Sequence, residues 1–165
     1  LCLGMQIAVI EFARHVCGIA DANSGEFDEG GAHLVIDFMP DQNNSMNKGG
    51  TMRLGSYPCK IKPGTMMEKC YQKELIGERH RHRYEFNNDY RALMEEKGLV
   101  VSGTSPDGHI VETVELTDKR FYVGVQFHPE FKSRPNRAHP LFLEFIKASL
   151  AYSAEKQANA AQIAE

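Results

Sequence analysis

Apolar residues at Met5, Val9, Phe12, Ala13 and Val16 recur at helical spacing, and Gly18 supplies a stop, so the chain is expected to open with a helix. A polar, Gly-rich stretch follows over 21–31, then a short apolar run at 33–38 that reads as a strand. Residues 41–50 are rich in Asn, Asp and Gly and read as a mobile loop. Positions 52–61 alternate weakly, as an exposed strand does, and 75–86 form a further strand candidate interrupted by a basic patch. Residues 88–97 have helical composition and end at Gly98. Three strand-like runs, 99–103, 109–116 and 121–127, are separated by Pro-Asp-Gly and Asp-Lys turn signals. An amphipathic helix is expected at 141–150, and the Ala/Gln/Glu/Lys tail over 151–165 is helix-prone. Helix first, β-rich middle and helix last predict a mixed α/β fold occupying 1–150.

Composition narrows the class. A chain of 165 residues, 42% apolar and 25% charged, is sized for one soluble domain with its own core. Its formal charge of -3 gives no reason to expect nucleic acid or an anionic membrane as partner. No apolar run approaches the ~20 residues a membrane span needs. The four cysteines, Cys2, Cys17, Cys59 and Cys70, form no CxxC pair and read as reduced thiols of a cytoplasmic protein. The chain begins at Leu1 and runs straight into motif residues, so a piece of a longer protein is expected.

Candidate chemistry lies at two distant places. Cys2 directly precedes the first helix, where free N–H groups and the helix dipole are expected to lower a thiol pKa. The N–H of Leu3 can donate to an oxyanion there, and Gly4 permits close backbone approach. Far downstream, His128-Pro129-Glu130 follows a strand. If extended, it points His128 and Glu130 to one face, so the carboxylate orients one ring nitrogen and the other serves as base. Each segment alone also has a plain reading, a small core cysteine and a solvated turn carboxylate.

Combined, Cys2, Gly4, Gln6, His128 and Glu130 resemble the motifs of the class I (triad) glutamine amidotransferases, Gly-x-Cys-x-Gly-x-Gln and His-x-Glu. The wider sequence resembles the CTP synthase family. The matching strings are Gln6 through Arg14, Gly49-Gly50-Thr51-Met52-Arg53-Leu54-Gly55, Glu78 through Asn87 with its Arg-His-Arg-His-Arg-Tyr-Glu core, and His139-Pro140-Leu141-Phe142. The resemblance covers the chain to about Ser149. It implies an α/β, flavodoxin-like sheet with flanking helices that lacks its N-terminal strands.

The same resemblance implies Cys2 as nucleophile, His128 as base and Glu130 as its orienter. Leu3, Gly4, Met5 and Gln6 would line a glutamine site, Glu26 would hold the substrate ammonium and Arg83 its carboxylate. Arg53 would be a lid or effector contact, with a solvated arginine as the plain alternative. GTP is implied as allosteric activator. ATP and Mg²⁺ are implied only for a synthetase domain absent here, since the chain has no Walker-type loop. That domain is an expected partner and a homotetramer the expected assembly. Alternation in the basic string sets His80 and His82 on one face and Arg79, Arg81 and Arg83 on the other. No third ligand stands at a familiar zinc spacing, so no metal is expected. Two other readings are a different triad hydrolase, such as a γ-glutamyl peptidase, and a non-catalytic regulatory or oligomerisation module.

Overall fold

The computed structural model describes residues 1–38 and 52–163. The expected loop at 41–50, and the first part of the string at 49–55, lie outside the described residues. Helix α1 (Leu3–His15) is the predicted opening helix. Its apolar positions Met5, Val9, Ile10, Phe12 and Ala13 are buried, and Gly18 follows it at φ 78°. A short strand β1 (Asn23–Ser24) pairs parallel with β2 (Leu34–Phe38). Strand β3 (Arg53–Ile61) leads to a helix of six residues, α2 (Met66–Tyr71), then β4 (Leu75–His82) and β5 (Tyr84–Phe86). Helix α3 (Arg91–Glu96), strands β6 (Val100–Thr104), β7 (Val111–Glu115) and β8 (Val123–Val125), and helix α4 (Pro140–Ile163) complete the chain.

Two sheets result, a three-stranded one ordered β1-β2-β5 and a five-stranded one ordered β4-β3-β6-β7-β8. Among the described residues the β1–β2 pair is parallel and every other pairing is antiparallel. The run expected as one strand at 75–86 is divided. β4 joins the large sheet, β5 joins β2 in the small one, and Arg83 is the single residue between them.

Two apolar clusters form the core, the first of them shared by both sheets. Met5, Val9, Ile10, Val35, Ile36, Phe86 and Val114 pack α1 against the strands beneath it. Cys59, Ile61, Met67, Ile76, Val125, Phe127 and Leu141 fill a second core. The large sheet curls: just past β8, the His128 N–H donates to Arg79 O at 2.8 Å, so the β8 end of the sheet reaches β4 at the opposite edge. Gly124 lets α1 sit on β8, because a Cβ there would lie 3.1 Å from Val114 and 3.2 Å from Met5.

Strand β7 is buried on both faces, and its two carboxylates point oppositely, as a spacing of three dictates. Glu115 accepts from Met66 and Met67 N–H at the start of α2, and Glu112 turns inward to Arg53. Helix α2 was not foreseen, although Thr65 accepts from Glu68 N–H and the Glu68 carboxylate reaches back to Gly64 N–H.

Candidate active site

Cys2 occupies the turn that starts α1, at φ 45° and ψ -108°, a conformation an L-residue adopts only when its surroundings hold it there. Three contacts do so. Its N–H donates to Val125 O at 2.7 Å, its sulfur lies 3.8 Å from Arg81 O, and Gln126 Nε2 donates to that sulfur at 3.5 Å. The expectation of a lowered thiol pKa is corrected. Burial pushes the Cys2 thiol above its ordinary value, outweighing hydrogen bonds from Leu3 N–H and Gln126, while the Glu26 charge adds to the rise. The resting group is the protonated thiol, and a base must take its proton.

The segment after β8 carries a histidine and a carboxylate in contact. His128 Nδ1 lies 2.6 Å from Glu130 Oε1. The pair is not set on one face of an extended strand: a 3₁₀ turn at Pro129–Phe131 follows His128 and brings the carboxylate back to the ring. Phe131 stacks on the imidazole with centroids 5.1 Å apart. With Nδ1 engaged, Nε2 is buried and has no hydrogen-bond partner among the described residues. The sulfur and His128 are anchored two residues apart on β4, at Arg81 and Arg79, which sets the two anchor points about 7 Å apart along the strand. The thiol and the His128 backbone are thus both tied to β4, and the two side chains are not hydrogen-bonded to each other. Such contacts often tighten only when substrate binds.

The other residues divide. Leu3 and Gly4 are exposed beside the sulfur, and Glu26 is exposed and close enough for its charge to act on Cys2. Arg83 is exposed at the junction of the two sheets. Burial and then the charges of Glu26, Glu29 and Asp37 raise the Tyr84 phenol, with Arg83 opposing, so Glu26 and Arg83 both act on that ring. Gln6 is buried, its Nε2 donating to Tyr84 O at 2.8 Å and Gln126 Oε1 at 3.2 Å. Met5 is a correction: its side chain is 1% exposed and belongs to the core, because a residue two places after the helix start faces the sheet rather than the cleft.

Arg53 is a second correction. It is neither solvated nor presented to an effector but 6% exposed, with Nη2 2.6 Å from Glu112 Oε1, Nη1 3.8 Å from Glu85, and its guanidinium 4.4 Å from the Tyr57 ring. His80 and His82 join this buried group, the former 3.5 Å from Glu112 and the two rings 2.9 Å apart. Desolvation, then Arg53, pushes His80 down to about 3 and His82 down to about 4, while desolvation pushes Glu85 up to about 7. Among the described residues no group of three or more His, Cys, Asp or Glu is arranged to hold a metal ion, and no helix is long and apolar enough to cross a membrane. The four cysteines are free thiols. Gln126 is the site residue that sequence reasoning missed. Its place in Gly124-Val125-Gln126-Phe127-His128 was plain, but nothing in the string shows that it meets the sulfur.

A strained cysteine at a helix start and a histidine–carboxylate pair are both tied to β4. The family model Glutamine amidotransferase class-I matches residues 1–148, and the chain belongs to that family. More particularly, it is similar to CTP synthases. It is 65% identical to CTP synthase of Carboxydothermus hydrogenoformans over 150 residues, 91% of this chain and 28% of that protein. It is 60% identical to CTP synthase of Moorella thermoacetica over 149 residues, 90% of this chain and 28% of the relative. The solved glutaminase domain of Trypanosoma brucei CTPS with bound acivicin matches at TM-score 0.85 and 40% identity, over 91% of this chain and 58% of that one. The chain therefore spans a little over a quarter of the length of these curated relatives.

Proposed function

We propose that this chain is the glutamine-hydrolysing part of a CTP synthase, releasing ammonia through Cys2, His128 and Glu130. The observation that carries the reading is the anchoring of the sulfur and the histidine backbone on Arg81 and Arg79 of β4, with Nε2 of His128 unpartnered among the described residues. His128 takes the thiol proton, and the sulfur attacks the side-chain carbonyl carbon of glutamine. The C–N bond breaks, the proton passes to the leaving nitrogen as ammonia, and a glutamyl thioester remains. Water then gives a proton to His128 and its oxygen to the acyl carbon, which frees glutamate and restores the thiol. Leu3 N–H donates to the oxyanion. Leu3, Gly4 and Gln6 border the substrate, Met5 lends only backbone, and Glu26 and Arg83 take the ammonium and α-carboxylate of glutamine.

In the whole enzyme, a glutamine-hydrolysing ligase of pyrimidine biosynthesis, the ammonia is channelled to an ATP- and Mg²⁺-dependent synthetase domain that aminates UTP. GTP acts there as activator, and the assembly is a cytoplasmic homotetramer. On their own these 165 residues turn over little or no glutamine. The test is ammonia release from L-glutamine compared with γ-glutamyl peptides in the protein joined to its synthetase domain. Release from glutamine, lost in Cys2→Ala and blocked by a glutamine-mimicking diazo ketone at Cys2, is expected. Preference for γ-glutamyl peptides would assign it to the peptidases instead, and absence of labelling would leave a non-catalytic module.

A further inference from the structure

Gln126 lies beside the nucleophile with both ends of its amide committed. It is fully buried, and its backbone N–H is fixed to Glu112 O at 2.8 Å. Its Oε1 accepts from Gln6 Nε2 at 3.2 Å, and that same Gln6 nitrogen donates to Tyr84 O at 2.8 Å. An amide has one acceptor end and one donor end. With Oε1 taken by the Gln6 donor, Nε2 must point the other way, and what lies there is the Cys2 sulfur at 3.5 Å. The orientation is therefore dictated by a chain of contacts, Tyr84 carbonyl to Gln6 to Gln126 to Cys2. Solvent cannot compete with it at a residue of zero exposure.

We propose that Gln126 is a further catalytic residue, whose amide N–H, aimed by Gln6, holds the Cys2 sulfur and stabilises its thiolate. The chemistry asks for such a donor. Burial opposes ionisation at Cys2, and Glu26 adds a negative charge nearby. The compensating groups are few, the Leu3 N–H and the Gln126 amide. A neutral amide stabilises a thiolate without offering it a proton. Gln6, identified above as bordering the substrate, acquires a second task, since its amide sets the direction of the next one.

The assignment rests on the thiol chemistry proposed above, and its test reads the thiol itself, so the two can fail separately. The measurement is the pH profile of iodoacetamide alkylation at Cys2, followed by peptide mass spectrometry in wild type, Gln126→Met and Gln126→Glu. Cys70 serves as an internal reference and the buried Cys59 as a reporter of unfolding. Gln126→Met keeps shape and removes the donor; it is expected to raise the Cys2 midpoint by about one pKa unit, roughly tenfold less thiolate at a fixed pH below it. Gln126→Glu replaces the donor by an acceptor and is expected to raise it further, with the Cys70 profile unchanged in both. Coincident Cys2 profiles in wild type and Gln126→Met overturn the assignment. If Gln126→Met exposes Cys59, Gln126→Glu decides: an unshifted midpoint overturns the assignment and a raised one supports it. Glutamine turnover in the same variants should lose kcat with KM little changed. A wild type that alkylates as expected yet releases no ammonia would refute the glutaminase reading and leave the role of Gln126 standing.

Discussion

At Cys2 the backbone angle of 45° is held by the Val125 carbonyl and not relieved by any glycine, so strain and reactivity share one residue. Cys2→Gly and Cys2→Ala should both abolish turnover, but Gly should be the more stable of the two by about 1 kcal/mol in urea unfolding, since only Ala keeps the penalty for positive φ. Glu130→Gln keeps the shape of the orienter and loses its charge beside His128 Nδ1. It should lower kcat by about 10²- to 10⁴-fold with little change in melting temperature, by analogy with other triads. What was legible at this scale was the local setting of two groups: a thiol before a helix and an imidazole in contact with a carboxylate two places on. Depth was not legible. Met5 and Arg53 stand within motif-like strings, yet their side chains are carried inward by helix phase and by strand alternation, and no string reveals which phase faces the core. The same blindness raised the expectation of a depressed thiol pKa, because burial is a property of the folded surroundings and not of the helix start.

Element by element, long periodic segments declared themselves and short ones did not. Helix α1 and strands β2, β3, β6, β7 and β8 fall where the apolar pattern set them, within a few residues at the ends. The six residues of α2 offer under two turns of periodicity, and the signal that marks them is the cap pair Thr65 and Glu68. Thr65→Ala should cost about 0.5–2 kcal/mol of stability, read as a shift in urea midpoint without a change in slope. The split of 75–86 between two sheets was hidden for a different reason. β4 and β5 differ in their partners, β3 and β2, and partners lie outside any local window. Gly124 is where α1 and β8 touch most closely. Gly124→Val should cost about 1–3 kcal/mol by overpacking and should reduce turnover as well, because the helix that carries Cys2 is displaced from Val125; unchanged kcat would contradict the tether.

For the molecule as a whole, the buried group of Arg53, His80, His82, Glu85 and Glu112 ties β3, β4, β5 and β7 together and so couples both sheets to pH. The two histidines bind fewer protons folded than unfolded between their depressed values, about 3 and about 4, and the ordinary 6.5. Their contribution is therefore lost as pH falls through that window. Glu85, raised from 4.5 to about 7, binds more protons folded than unfolded, so its contribution is lost as pH rises from 4.5 to 7, and Glu112 acts in the same direction. The two trends oppose one another between about 4.5 and 6.5, and below that only the histidines act. Glu85→Gln should therefore gain stability relative to wild type as pH rises from 5 to 7.5, measured as the difference in urea midpoints at the two pH values. A constant difference would show that Glu85 does not carry a raised pKa.

The hold of Val125 and Gln126 on Cys2 also has a bearing on synthesis. The cysteine leaves the ribosome before its partners: the amide that steadies its sulfur is encoded 124 positions later and the imidazole two beyond that. Throughout that interval the nascent thiol has neither its donor nor its proton acceptor, and no partial product can acquire them. Translation that stops before β8 therefore yields a chain in which Cys2 lacks the Val125 and Gln126 contacts that hold it.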